Sequence, residues 1–146
     1  MKELQIDSVN KLLNEILQLE LAGVVRYTQH ALSVTGPYRM SLVDFLKEQA
    51  AESLTHAQQV GEILTGLGGR PSFNISSINE NQIHSLQDIL QDSLEHETRA
   101  VKLYKKLLEK VEGASVYLEE FVRGMISQEE MHLLELKKML RDSTKA

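Results

Sequence analysis

Three clusters of helix-breaking residues cut this chain into four long segments, and almost nothing interrupts the segments themselves. Only two prolines occur in 146 residues. Each sits in a cluster, Ser33-Val34-Thr35-Gly36-Pro37 and Gly66-Leu67-Gly68-Gly69-Arg70-Pro71-Ser72. The third cluster is Glu112-Gly113-Ala114-Ser115. Proline removes a backbone donor and glycine favours turn conformations, so helices stop there. Between the clusters one residue in every three or four is apolar, the period of a helix with one buried face. The first stripe is Val9, Leu13, Ile16, Glu20, Val24, Tyr27, Ala31, and the second is Leu42, Phe45/Leu46, Gln49, Ser53, His56/Ala57, Val60, Leu64. The third is Leu86, Ile89/Leu90, Ser93, His96/Glu97, Ala100, Leu103/Tyr104, Leu107, and the fourth Leu118, Val122, Met125, Glu129, His132, Leu136, Leu140.

These stripes predict helices from Asp7 or Ser8, either able to cap, to Leu32; from Ser41 to Leu67; from Ile83 to Val111; and from Ser115 to Leu140. Each is about 40 Å long. Aromatic residues are only 5 %, and β-branched residues never alternate with polar ones, so no strand competes. The fold class is all-α. The first and last connections are short, which makes antiparallel hairpins, and the stretch from Gly68 to Gln82 is long enough to run the height of a bundle. The expected architecture is a four-helix bundle of two hairpins joined by a long crossover, one domain over residues 1–146.

Charge and composition exclude several roles. The net charge of −5 argues against nucleic-acid binding, which needs a basic face. The chain has no cysteine, so disulfides, thiolate metal sites and cysteine nucleophiles are excluded. No apolar run is long enough to span a membrane. Met1 to Asn10 lacks the cationic start and apolar block of a signal peptide, so the cytoplasm is the expected location.

A bundle core should be apolar, because an unpaired buried carboxylate or imidazole is costly. Yet every stripe is interrupted near its middle: Glu20 in the first helix, His56 with Glu52 and Ser53 in the second, His96 and Glu97 in the third, Glu129 and His132 in the fourth. The centres of the four spans fall near Glu20, Leu54, Glu97 and Gln128, so the interruptions share one layer. Such a layer needs a compensating charge. Glu129 and His132, three residues apart on one face, can grip a single ion. Mixed oxygen and nitrogen donors suit iron, manganese or zinc.

The segments Leu19-Glu20-Leu21-Ala22 through Tyr27 and His30, Glu52-Ser53-Leu54-Thr55-His56-Ala57, and Gln128-Glu129-Glu130-Met131-His132 resemble the bacterioferritin and rubrerythrin branch of the ferritin-like superfamily over nearly the whole chain. The resemblance implies a ferritin-like four-helix bundle with a di-iron carboxylate site. It carries Glu20, His56, Glu129 and His132 over as metal ligands and Tyr27 as an electron donor beside them. Three positions depart from the pattern. Ser53 stands where the branch has the glutamate of a second Glu-x-x-His, with Glu52 one residue earlier, placed either to reach the metal or to line its route. His96 falls on the third-helix glutamate when spacing is held constant and is expected as a metal ligand there, with Glu97 competing for the role and Glu95, on a polar face, ranking below both. Leu54 replaces the haem methionine, so no haem is expected. The short fifth helix of the large cages has no counterpart, so a 24-subunit shell is not expected either.

The implied partners are metal ions and dioxygen or peroxide, in iron oxidation and storage or in metal handling under oxidative stress. A single metal held without turnover, or a helical interaction protein with a degenerate polar layer, are the alternatives that Ser53 leaves open. A homodimer through the first two helices is expected, as is common in the superfamily. His30 reads as structural or exposed, and His84 as the start of the third helix. Met125, Met131 and Met139 read as core packing, and Lys102, Lys105, Lys106 and Lys110 as a solvated face.

Overall fold

The computed structural model describes residues 2–78 and 85–141. Among these residues the chain forms four helices: α1 Ile6–Ser33, α2 Arg39–Gly66, α3 Leu86–Val111 and α4 Val116–Arg141. The bounds match the hydrophobic periodicity to within a few residues. Ile83 and His84, expected to open the third helix, lie outside the described residues. Gln5, and neither Asp7 nor Ser8, precedes α1, and no side chain caps it. Ser85 caps α3 by accepting the Asp88 amide at 3.1 Å, and Ser115 accepts the Leu118 amide at the start of α4.

The breaker clusters end the helices by identifiable chemistry. After α2, Gly68 takes a φ of +83°. Its amide bonds the Thr65 carbonyl and the Gly69 amide bonds the Leu64 carbonyl. That is a Schellman ending, which needs a left-handed residue where glycine stands. Between α3 and α4 the chain reverses at Glu112-Gly113, closed by the Ala114 amide on the Val111 carbonyl at 3.0 Å.

Helix α1 packs on α2, α3 on α4, and α1 on α3. The two short connections make each pair a hairpin, and the crossover joins them. Its first part is tied along α1: Asn14 donates to the Arg70 carbonyl and accepts from the Ser72 amide, and the Ser76 amide reaches the Gln18 carbonyl. Phe73 of this segment is fully exposed.

The buried apolar side chains form two clusters. One gathers Val9, Leu13, Ile16, Val60, Leu64, Leu107, Val122 and Met125 around one end. The other gathers Ala31, Leu42, Leu46, Ile89, Leu90 and Leu136 around the opposite end. Buried polar side chains, Glu20, Ser53, His56, His96, Glu97 and Glu129, lie between them. Two of the three methionines expected in the core are there, Met125 buried and Met139 half-buried, whereas Met131 is exposed.

Candidate metal centre

All four helices send a donor into the polar layer. Glu20 comes from α1, His56 from α2, Glu97 from α3, and Glu129 and His132 from α4. They form two triads, Glu20/His56/Glu129 and Glu97/Glu129/His132, each with one donor atom per residue lying within 4.8 Å of the others. Glu129 belongs to both. Its Oε1 lies 3.3 Å from His56 Nδ1 and its Oε2 3.6 Å from His132 Nδ1. His56 Nδ1 also faces Glu20 Oε2 at 3.4 Å.

The outer nitrogens of both imidazoles turn toward one carboxylate. Glu52 Oε2 is 3.4 Å from His132 Nε2 and Glu52 Oε1 is 3.9 Å from His56 Nε2. Glu52 is in turn held by the Gln128 side-chain amide. A carboxylate at Nε2 is the partner that a metal-ligating imidazole uses to turn Nδ1 toward the ion, and it stays in place when Nδ1 gives up its proton. Glu52 therefore joins neither triad and orients both histidines from the half-exposed side.

Two tyrosines close the layer reciprocally. Tyr27 on α1 donates to Glu97 Oε1 at 2.5 Å, and Tyr104 on α3 donates to Glu20 Oε1 at 3.3 Å. This exchange fixes α1 antiparallel to α3. Each tyrosine lies seven residues after the glutamate of its own helix, two turns on along the same face. That repeated spacing was the available signal for Tyr104, whose stripe position alone reads as core packing.

The third-helix residue that joins a triad is Glu97. His96 is buried but outside both triads. Its ring stands edge-on to Tyr27, centroids 5.9 Å apart, and its Nε2 lies with Ser53 Oγ over Gly23. One residue along a helix turns the side chain by about 100°, so His96 and Glu97 cannot face the same ion. A methyl group on Gly23 would come within 2.7 Å of His96 Nε2 and 2.8 Å of Ser53 Oγ. Gly23→Ala is therefore expected to destabilise the fold by about 1–3 kcal/mol through overpacking, read as a lower urea midpoint at unchanged slope.

His30 is structural, as its sequence context suggests. It and Arg26 grip Asp92 from α1, His30 Nε2 at 2.7 Å and Arg26 Nη1 at 2.7 Å. Burial alone would raise the Asp92 carboxyl, but the hydrogen bonds from His30 and Arg26 hold it below the usual range. Glu95 remains on the exposed surface.

The electrostatics of the layer are those of a centre awaiting positive charge. Burial raises the Glu20, Glu97 and Glu129 carboxyls above their ordinary range. Glu129 raises Glu97 further, and Glu20 and Glu52 raise Glu129. Burial would lower His56, but the Glu20 hydrogen bond and the Glu20, Glu129 and Glu52 charges lift it to about 9. His96 goes the opposite way, to about 4, through burial and the charges of Arg26 and Arg99. Both Tyr27 and Tyr104 are pushed well above 10 by burial and the adjacent carboxylates, so they remain neutral donors.

A bound transition metal fits these donors on an observation independent of any relative. His132 Nδ1 and Glu129 Oε2 are buried, face each other and have no hydrogen-bond partner. Buried polar atoms are rarely left so, and a cation between them satisfies both.

Known proteins share this fold. A family model described as a ferritin-like domain matches residues 10–146. Bacterial non-heme ferritins of Escherichia coli and Shigella flexneri are 29 % identical over 85 residues, 58 % of this chain and 52 % of theirs. The chain thus spans about half the length of the curated relatives it matches. A structure described as a ferritin-like, diiron-carboxylate protein from Bacillus anthracis superposes with a TM-score of 0.87 at 26 % identity, over 92 % of this chain and 96 % of that one. Desulfovibrio desulfuricans bacterioferritin, described with a diiron site in different catalytic states, gives 0.84 at 18 % identity over 94 % of this chain and 80 % of its own, a likeness of fold.

Proposed function

This chain belongs to the ferritin-like domain family, and from that premise we propose that it binds iron in the core of its bundle and oxidises it for storage or detoxification. The observation that carries the reading is the convergence of Glu20, His56, Glu97, Glu129 and His132 from four helices on two triads with a common carboxylate. Manganese and zinc suit the same donors. Ferrous iron, as substrate, supplies one electron per ion to dioxygen or peroxide. The protein's part is positional. Glu129 joins the two triads, and Glu52 holds both imidazoles with Nδ1 inward. Tyr27 keeps its proton beside Glu97, where it can give up an electron and that proton together. Glu52, half-exposed beside both imidazoles, and Glu48, one turn before it on α2 and exposed, are the carboxylates by which the ferric product would leave.

Ser53 favours a second reading. A bridging glutamate there would give the centre one more shared carboxylate, and its loss suits a module that holds metal without turnover. The test is anaerobic loading with ferrous iron followed by oxygen. An absorbance rise in the ferric-oxo region, absent in Glu129→Ala, supports oxidation. Stoichiometric uptake without oxygen consumption supports the holding module. A melting temperature indifferent to every divalent metal sinks both, since a ligand that binds only the folded state must stabilise it.

The working unit we propose is a cytoplasmic homodimer of one-domain chains, joined through α1 and α2. These helices expose Val25, Leu32, Met40 and Leu54. A strict monomer by light scattering at micromolar concentration defeats the dimer.

A further inference from the structure

The two hairpins present nearly the same centre twice. The first supplies Glu20, Tyr27 and His56; the second supplies Glu97, Tyr104 and His132. The repeat breaks at one position, where the partner of Glu129 three residues before the histidine is Ser53. Ser53 Oγ is turned to Gly23 beside His96, so the position is filled by neutral groups and offers the layer no charge. Glu129 alone is common to both triads.

The triads also differ in what a cation would gain. In the first, His56 Nδ1 already faces carboxylate oxygens of both Glu20 and Glu129, and Glu20 Oε1 receives Tyr104. An ion entering there must break into a network that is internally paired. In the second, Tyr27 donates to Glu97 Oε1 and Glu97 and Glu129 share a hydrogen bond, but His132 Nδ1 is buried without a hydrogen-bond partner, so an ion gains an imidazole nitrogen that no other group engages. The second triad is also nearer solvent: the His132 side chain is 13 % exposed and its Nε2 meets Glu52, itself 23 % exposed. The His56 side chain is 4 % exposed.

Resting on the metal reading above, we infer that this chain fills its centre in a fixed order, with one tight transition-metal ion at Glu97/Glu129/His132 and a far weaker second position at Glu20/His56. The protein is then a single-ion binder at limiting metal and a two-ion centre only at excess.

Cobalt(II) tests this without any redox turnover. The full chain is titrated by calorimetry and by the visible absorption of bound cobalt, and a cobalt-loaded crystal is located by anomalous scattering. The expected result is one ion per chain in the tight phase, with the second weaker by roughly 100-fold or more. The anomalous peak at one equivalent lies beside His132. Glu97→Gln abolishes the tight phase, whereas Glu20→Gln abolishes the weak phase and leaves a tight one-ion phase in place, both variants being checked for helical content. Two ions of equal affinity, a first peak beside His56, or equal losses in the two variants would overturn the order while leaving metal binding intact. No cobalt uptake at all overturns the metal reading and this inference with it. The peak position needs no variant, so the order is decided even where a substitution fails to fold.

Discussion

Glu129→Gln is expected to strip the protein of its metal and leave the fold standing. Glu129 is the only residue common to both triads, with one oxygen toward each histidine. The amide keeps the volume and shape but removes the charge on both sides at once. Affinity is expected to fall by roughly 100-fold or more for any ion in the layer. Saturating metal stabilises a protein by about 2.7 kcal/mol at a hundredfold excess over Kd, and this stabilisation is expected to vanish in the variant. The metal-free protein should suffer little. Burial and the Glu20 and Glu52 charges already raise the Glu129 carboxyl, so an uncharged side chain relieves repulsion, and His56 keeps Glu20 as its counter-charge. His96→Ala is the contrasting control: it removes packing against Tyr27 and is expected to lower stability with metal affinity preserved. Thermal melts of the three proteins with and without cobalt check both statements. A metal-induced shift in Glu129→Gln equal to that of the parent chain would remove Glu129 from the centre.

The parts that were legible in the sequence are those written in periodicity. Each helix carries an apolar stripe broken by polar residues near its middle, and such a break at mid-helix sets the height of a residue in the bundle. Hence Glu20, His56, Glu129 and His132 could be placed in one layer from spacing alone. The third helix shows the limit. His96 and Glu97 are adjacent, both fit the stripe, and about 100° of helix rotation separates them. Constant spacing favours His96, but the packing of α3 against α1 turns Glu97 inward and seats His96 on Gly23 and Ser53. Nothing within α3 itself encodes that rotation; it depends on the small residues of α1 and α2 that make room for the ring.

Polar contacts between helices were less legible still. Asp92 reads as one acid of a solvated face, yet Arg26 and His30 on α1 hold it in a charge-assisted interlock. The role of Glu52 depends on Gln128 and on two imidazoles from different helices. Such partners are set by helix register, which the sequence constrains only through the connections. The helix–turn chemistry was within reach, since glycine at 68 and 113 marks left-handed positions that a helix ending or tight turn demands.

Metal-free and metal-loaded protein are expected to respond to pH in opposite senses. His56 in the folded chain rises from an ordinary 6.5 to about 9. A group with a raised folded value contributes stability that is complete below its unfolded value and lost as pH climbs through the folded one. His56 thus supports the metal-free fold below pH 6.5 and withdraws that support toward pH 9. The carboxyls of Glu20, Glu97 and Glu129 are raised as well, so their contribution is likewise greatest in acid and lost as they ionise together in a buried layer. Metal binding runs the other way, because carboxylates must be ionised and imidazoles neutral to ligate. Each proton expelled makes affinity rise about tenfold per pH unit until that group is deprotonated. Loading at pH 7 should therefore release protons into a weakly buffered solution. The gap in melting temperature between loaded and metal-free protein should widen steadily from pH 5.5 to pH 8.5 (roughly the span between the ordinary carboxyl range and His56). Melts across that range, with calorimetry in two buffers of different ionisation heat to count protons, make the measurement. A gap that stays constant or narrows, or uptake with no proton release, would mean that the buried carboxyls and His56 are not the groups that meet the ion.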